Sequence, residues 1–254
     1  MSTTKRILGL AFLVSLLGSP LCGPRTYAQQ DKAAVTANQE FIDSIKKGDL
    51  AKVRELLKQD PSLIKATAKN GASATLVAVY VRQKPIVDLF LATGVELSIF
   101  EAAATGQLQR VRELLKKNPG LIHAYSPDGW TPLHLNFGNV EISRLLIDSG
   151  ADINSVAHNK LVATPLQGAV VNKSIEVGRL LLARGANVNP RNDDGGNPLH
   201  EAAGDGQIEF AKLLLDHGAN INAKDDKGNT PLAIALEYKQ AEMAKLLRDK
   251  GAAQ

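Results

Sequence analysis

Asn197-Pro198-Leu199-His200-Glu201-Ala202-Ala203-Gly204 decides how this chain is read, because the stretch returns at a fixed step. Its copies begin at Thr131-Pro132-Leu133-His134, Thr164-Pro165-Leu166-Gln167 and Thr230-Pro231-Leu232-Ala233, so the step is 33 residues each time. A step of that size means one small unit stacked several times. In the copy at 197, Asp194-Gly195-Gly196 supplies a turn. Asn197 is placed to cap a helix N-terminus, and Pro198 falls at the first helical position, where its missing N–H is not needed. Leu199, Ala202 and Ala203 give a slim apolar face, and Gly204 to Gly206 interrupts it. A second helix follows over Ile208 to Leu215, and Gly218 stops it as a left-handed terminal residue. Gly185, Gly218 and Gly251 each lie 21 residues after the start of their own copy. In two of these units Ala-Asn-Val-Asn (186–189) or Ala-Asn-Ile-Asn (219–222) comes next.

The 33-residue period, the T-P-L-H matches and the G-A-N-[VI]-N segments together resemble the ankyrin repeat. That resemblance implies an all-α solenoid of helix-turn-helix units joined by short β-turn fingers, with partner proteins taken on the finger tips and the exposed side of each first helix. It covers 126–254 closely and 39–125 more loosely. Upstream, G-x-L-x-x-V-R-E-L-L-K-x-[DN]-P-x-L-I is found from Gly48 and again from Gly106, an internal duplication. Seven units are expected: about 39–72, 73–97, 98–130, 131–163, 164–196, 197–229 and 230–254. Such short helices are marginal alone and persist by burying their apolar faces on neighbours. The terminal unit carries a polar exterior, with Glu237, Lys239, Gln240, Glu242, Lys245, Arg248, Asp249 and Lys250.

Three departures from the period stand out. Gly94-Val95-Glu96-Leu97-Ser98 is too short for a finger, so a hairpin is expected to be missing there. The unit at 131 has 19 residues from Thr131 to Gly150 instead of 21, which trims its first helix around Asn136 to Asn139. The finger that follows, Ser155 to Ala163, is two residues longer. This pair of changes is either a neutral exchange between surface loops or a reshaped binding surface.

Residues 1–28 stand outside the array. Lys5 and Arg6 precede an apolar run, Ile7 to Leu17, and Thr26-Tyr27-Ala28 places small residues before a cut at Gln29. This is the layout of a secretory signal peptide. The run is too short to span a bilayer comfortably, and Ser19-Pro20-Leu21 before Cys22 does not suit lipidation. Residues 29–38 read as a short linker. Removal of 1–28 takes away the one cysteine and leaves 27 basic against 26 acidic residues, a balance of +1. No membrane span remains after cleavage, the near-neutral balance gives no case for nucleic acid, and the expected product is a periplasmic or secreted monomer.

Chemistry is hard to find. No G-x-S-x-G, no phosphate-cradling glycine loop and no H-E-x-x-H occurs. His134 and His200 sit two units apart, roughly 20 Å at about 10 Å per helix layer, too far to share a metal. Asp193-Asp194 and Asp225-Asp226 are ordinary turn formers. The residues therefore call for no enzyme, cofactor or metal, and for a protein partner of unspecified identity. A hidden enzyme or metal site in 136–163 and an exported host-directed effector or adhesin are the competing readings.

Carried onto this chain, the surface implied by the resemblance comprises Tyr125, Asp128 and Trp130 in one finger and His158, Lys160 and Leu161 in the longer one. Arg191, Asp193 and Asp194 follow in the next finger, and Lys224, Lys227 and Asn229 in the last. On the helices it comprises Phe137, Asn172, Asp205, Glu237 and Tyr238. Trp130, the one tryptophan, is either an interface anchor or a cover folded over the neighbouring finger.

Overall fold

The computed structural model describes residues 27–136 and 138–253, with side chains from residue 35 onward. The apolar run 7–17, expected to belong to a secretory signal, and Phe137 lie outside the described residues. Among these there are thirteen α-helices, and the only extended pairing is an isolated bridge between Thr67 and Ser73. Residues 37–254 make one compact unit, distinct from the unit that ends at Thr36.

Six helix pairs, and one helix preceded by a 3-10 turn, succeed one another along the chain. They are α1 (Tyr27–Lys47) with α2 (Leu50–Gln59), α3 (Ala74–Tyr80) with α4 (Lys84–Ala92), and α5 (Ile99–Ala104) with α6 (Leu108–Lys117). A single 3-10 turn (His134–Asn136) precedes α7 (Val140–Asp148). Then come α8 (Pro165–Val171) with α9 (Ile175–Ala183), α10 (Pro198–Gly204) with α11 (Ile208–Asp216), and α12 (Pro231–Glu237) with α13 (Ala241–Asp249). The segment 29–38, expected as a linker, is instead part of α1. Gln29 to Asn38 holds no Gly or Pro and is rich in Ala, so nothing in it stops a helix.

The capping chemistry works as the sequence implies. Asn197 Oδ1 accepts from the Leu199 and His200 N–H groups at 3.1 Å each, and Thr230 Oγ1 accepts from Ala233 N–H at 3.2 Å. Pro165, Pro198 and Pro231 open their helices. Gly185, Gly218 and Gly251 end the second helices at φ 87°, 87° and 90°, a region that costs an L side chain strain.

Between the pairs run two clusters of buried side chains. One spans 97–247 and includes Leu133, Leu166, Leu181, Leu199, Leu214 and Leu232. The other spans 41–90 and closes on Leu135. The changeover falls where the hairpin is missing. Residues 95–98 lead directly into α5, whose cap Ser98 forms a reciprocal box with Glu101. Arg110 pins this bare connection, donating Nε–H to Leu97 O at 3.2 Å and pairing with the Glu96 carboxylate at 3.3 Å.

At 131 the first helix is reduced to the 3-10 turn, as the two-residue deficit requires. Asn136, 5 % exposed, stands in for the lost turn. Its Nδ2 donates to Leu133 O, and its Oδ1 accepts from Ser143 Oγ at 2.9 Å and Gly138 N–H at 3.4 Å.

Leu214 is fully buried between units. Leu214→Ala should cost about 2–5 kcal/mol in urea denaturation. The loss should appear first as faster hydrogen exchange of amides in 198–253, since coupling is to nearest neighbours. Uniform loss over the whole array would contradict this.

Candidate functional site

From finger 124–131 onward, each finger is tied to the next through the backbone. His158 N–H donates to Gly129 O at 2.8 Å, Asp193 N–H to Leu161 O at 3.4 Å and Asp226 N–H to Asp194 O at 3.0 Å. Gly129 is required for the first of these ties: it has φ 90°, and a Cβ there would lie 2.5 Å from His158 O. Arg191 adds a side-chain link, reaching Lys224 O at 2.9 Å and the Asp226 carboxylate at 2.7 Å. Arg191 is thus a strut between two fingers, which lessens its claim to a partner.

The histidines bind finger to helix. His134 Nε2–H donates to Ala163 O at 3.0 Å, and its Nδ1 accepts the Thr131 hydroxyl at 2.7 Å. His200 Nε2–H donates to Asn229 O at 3.1 Å. Burial pushes the His134 imidazole down to about 4, against opposing hydrogen bonds and the Asp152 charge. His200 is lowered for the same first reason. Asn229 is committed as well: its N–H and Nδ2 donate to the Asp225 carboxylate at 2.7 and 3.1 Å.

Two of the expected contact residues are committed to packing inside the array, one wholly and one in part. Asp128 is 8 % exposed, with its carboxylate taking the Tyr80 hydroxyl at 2.7 Å and the Ser126 hydroxyl at 2.6 Å. Burial and this carboxylate together raise the Tyr80 phenol well above its ordinary value. Trp130 is half-buried against the N-terminal cluster and lies 5.5 Å from the His134 ring, centroid to centroid. Trp130 thus packs in part against the core, in the manner the packing alternative expects. The cause is the missing hairpin: with no finger at 95–98, finger 66–73 faces finger 124–131 directly. A Cβ on Gly71 would stand 2.7 Å from Pro127 Cβ.

The exposed apolar groups gather instead on the longer finger, where Val156, Leu161 and Val162 are 41 %, 53 % and 39 % exposed. Val162 has φ 52°. A β-branched residue in that region is strained, and such strain persists only where the surroundings impose it. The Tyr125 ring stacks on His158 at 3.6 Å and 6°, and its hydroxyl donates to Val156 O at 3.2 Å. Lys160, Asp193, Asp194, Lys224 and Lys227 are exposed on the fingers, and Glu237 and Tyr238 at the end of α12. Asp205 is exposed but pairs with Lys173 at 3.5 Å. Asn172 turns its Nδ2 back to Gly168 O at 2.9 Å, which ties it to its own helix. Val156, Val162, Val171 and Leu236 escaped the sequence reading because apolar residues in a repeat look like core until burial is known.

Glu201, on α10, is the one strongly perturbed acid among the described residues. Burial, helped by Asp194 and Asp205, pushes its carboxyl up to about 8, and Oε2 finds no hydrogen-bond partner in the protein. No group of three or more His, Cys, Asp or Glu among the described residues is placed to hold a metal ion.

Helix pairs stacked on one another, with fingers laced edge to edge, define a repeat solenoid. The family model for ankyrin repeats (3 copies) matches residues 99–192 and 166–254. The chain belongs to the ankyrin-repeat family. It is 33 % identical over 161 residues to the rat (Rattus norvegicus) "Ankyrin repeat and SAM domain-containing protein 6", covering 63 % of this chain and 15 % of that protein. It is 34 % identical over 118 residues to the mouse (Mus musculus) "Ankyrin repeat and SOCS box protein 11", covering 46 % and 34 %. The chain therefore spans about a third or less of the length of these curated relatives. Ankyrin repeats are in general non-catalytic modules for protein–protein interaction.

The low His134 value sets a pH window. Unfolded, this imidazole titrates near 6.5; folded, near 4. Between these values the unfolded chain takes up a proton that the folded chain refuses, so stability is full above pH 6.5 and falls toward pH 4, by roughly 3 kcal/mol at 1.4 kcal/mol per unit. His134→Gln, which adopts the residue found at the equivalent Gln167, should flatten that slope in denaturation series at pH 7, 5.5 and 4. An unchanged slope would remove His134 as its source.

Proposed function

We propose that this protein is a non-catalytic scaffold, exported to the periplasm or secreted, that takes a partner protein on its lengthened finger. The observation that carries this reading is the cluster Val156, Leu161 and Val162, exposed on a finger that also holds a strained backbone at Val162. Apolar groups gathered on an otherwise polar surface suit a protein partner. Lys160 beside them and Asp193 on the next finger would supply the polar rim. The exposed ends of the first helices, at Val171, Glu237 and Tyr238, lie along the same succession of units and extend the surface. Export is supported by Lys5, Arg6, the apolar run 7–17 and the small residue at Ala28. No described helix is long and apolar enough to cross a membrane.

A photo-crosslinking side chain at position 161, compared with one at exposed Lys212 on α11, tests the surface in the native host. A discrete adduct from 161 and none from 212 is expected, and Leu161→Ser with Val162→Ser should weaken capture at least about tenfold. Equal adducts from both positions would refute the surface. N-terminal sequencing of the recovered protein should begin at Gln29, and a chain that stays in the cytosol with residues 1–28 attached would refute export.

A further inference from the structure

Beside the exposed finger lies a cleft of about 180 Å³, between the turn that follows α6, finger 124–131 and the root of finger 150–164. Ile122 and Ala151 give it apolar walls, and His123, Tyr125, Thr131, Asp152 and Ser155 its polar ones. Apart from His123, whose imidazole carries a donor, the polar groups are biased toward accepting. The Tyr125 hydroxyl has committed its proton to Val156 O, and the Thr131 hydroxyl has a proton-accepting neighbour in His134 Nδ1 at 2.7 Å. Both oxygens keep lone pairs but have no proton left to give. Asp152 is a carboxylate, of which Oδ1 accepts the Asn154 N–H at 2.9 Å. Ser155 is 6 % exposed, and its Oγ makes no hydrogen bond to the protein. A buried hydroxyl without a partner is costly, and the residue that carries it lines the cleft.

A cleft lined mostly by acceptors, with one carboxylate, suits a cation rich in donors. A guanidinium offers five N–H groups in a planar fork and is weakly hydrated. That suits simultaneous bonds to Asp152 and Ser155 better than the compact, strongly hydrated ammonium of lysine. The Tyr125 ring, held by its stack on His158, adds an aromatic surface of the kind that guanidinium groups favour. The cleft is also continuous with the exposed finger, because Tyr125 lines the one and bonds the backbone of Val156 in the other.

We propose that this cleft is an anchor site for an arginine side chain of the partner protein, held by the Asp152 carboxylate and the Ser155 hydroxyl. It rests on the scaffold reading and adds the partner's chemistry to it.

The test uses a short acetylated, amidated peptide with one central arginine, and the same peptide with citrulline, an uncharged near-isostere. Each is titrated at low salt to about 10 mM, the range in which a single side-chain contact saturates, while amide resonances of the purified protein are followed by NMR. Saturable shifts confined to Tyr125 and 151–156 are expected with arginine and not with citrulline. Asp152→Asn keeps the Oδ1 that caps Asn154 and so should keep the fold, but should weaken arginine binding at least about tenfold by removing a charge-assisted bond. Ser155→Ala should weaken it less. Absence of saturable shifts, equal shifts with citrulline, or Asp152→Asn binding as tightly as the parent protein would each overturn the proposal. If position 161 still captures a partner while the peptide fails, the anchor falls and the scaffold stands; if both fail, the scaffold reading falls too.

Discussion

No helix between Leu50 and Asp249 is longer than ten residues, and a helix of that length is marginal in water. Everything else in the molecule depends on how this weakness is met. Each pair leaves apolar side chains that its own two helices do not cover, and the next pair covers them: Leu166, Leu199 and Leu232 recur at one position, each buried to 3 % exposure or less. Stability is therefore a chain of neighbour contacts. The polar ties run in the same direction, from His134 to the carbonyl of Ala163 and from His200 to that of Asn229.

A chain of neighbour contacts tolerates defects only when something nearby fills them. The missing hairpin after Gly94 would leave the N-terminal cluster open on one side. Trp130 and Asp128, from the finger one unit further on, supply the cover and the hydrogen bond to Tyr80. The trimmed helix at 131 is repaired on a smaller scale by the Asn136 side chain, which occupies hydrogen-bonding groups that a further helical turn would have satisfied. The lengthened finger differs in kind from both. Its additions are not absorbed, since Leu161 and Val162 remain outside, with Val162 in a strained conformation. A defect that costs free energy and is not repaired is where a binding role is best sought, and the cleft beside Asp152 opens at the root of this same finger.

The array was legible from Thr131 onward because each unit repeats its own caps and stops. Asn197 and Thr230 cap, Pro198 and Pro231 start, and Gly218 and Gly251 end, all through contacts within a few residues. Local chemistry of that sort is written in the chain. The missing hairpin and the shortened helix were legible for the same reason, as departures from a count. The candidate contact residues were less so. Tyr125, His158, Lys160 and Leu161 were picked out by register and do lie together at the longer finger. Asp128 and Trp130 have the same register-based claim, but Asp128 lies inside and Trp130 is half-buried against the core, and Arg191 and Asn229 are spent on neighbouring fingers or turns.

The sequence by itself determined the repeat, its helix caps and stops, and the places where the period breaks. These follow from capping, turn formation and the spacing of apolar residues, all short-range effects. Only the tertiary structure decided which finger residues face outward. That depends on what the next unit brings into contact, 30 to 50 residues away, as Tyr80 does for Asp128. It also revealed Ser155 and Glu201 as buried polar groups lacking partners, because burial belongs to the packed neighbours of a residue and not to the residue alone.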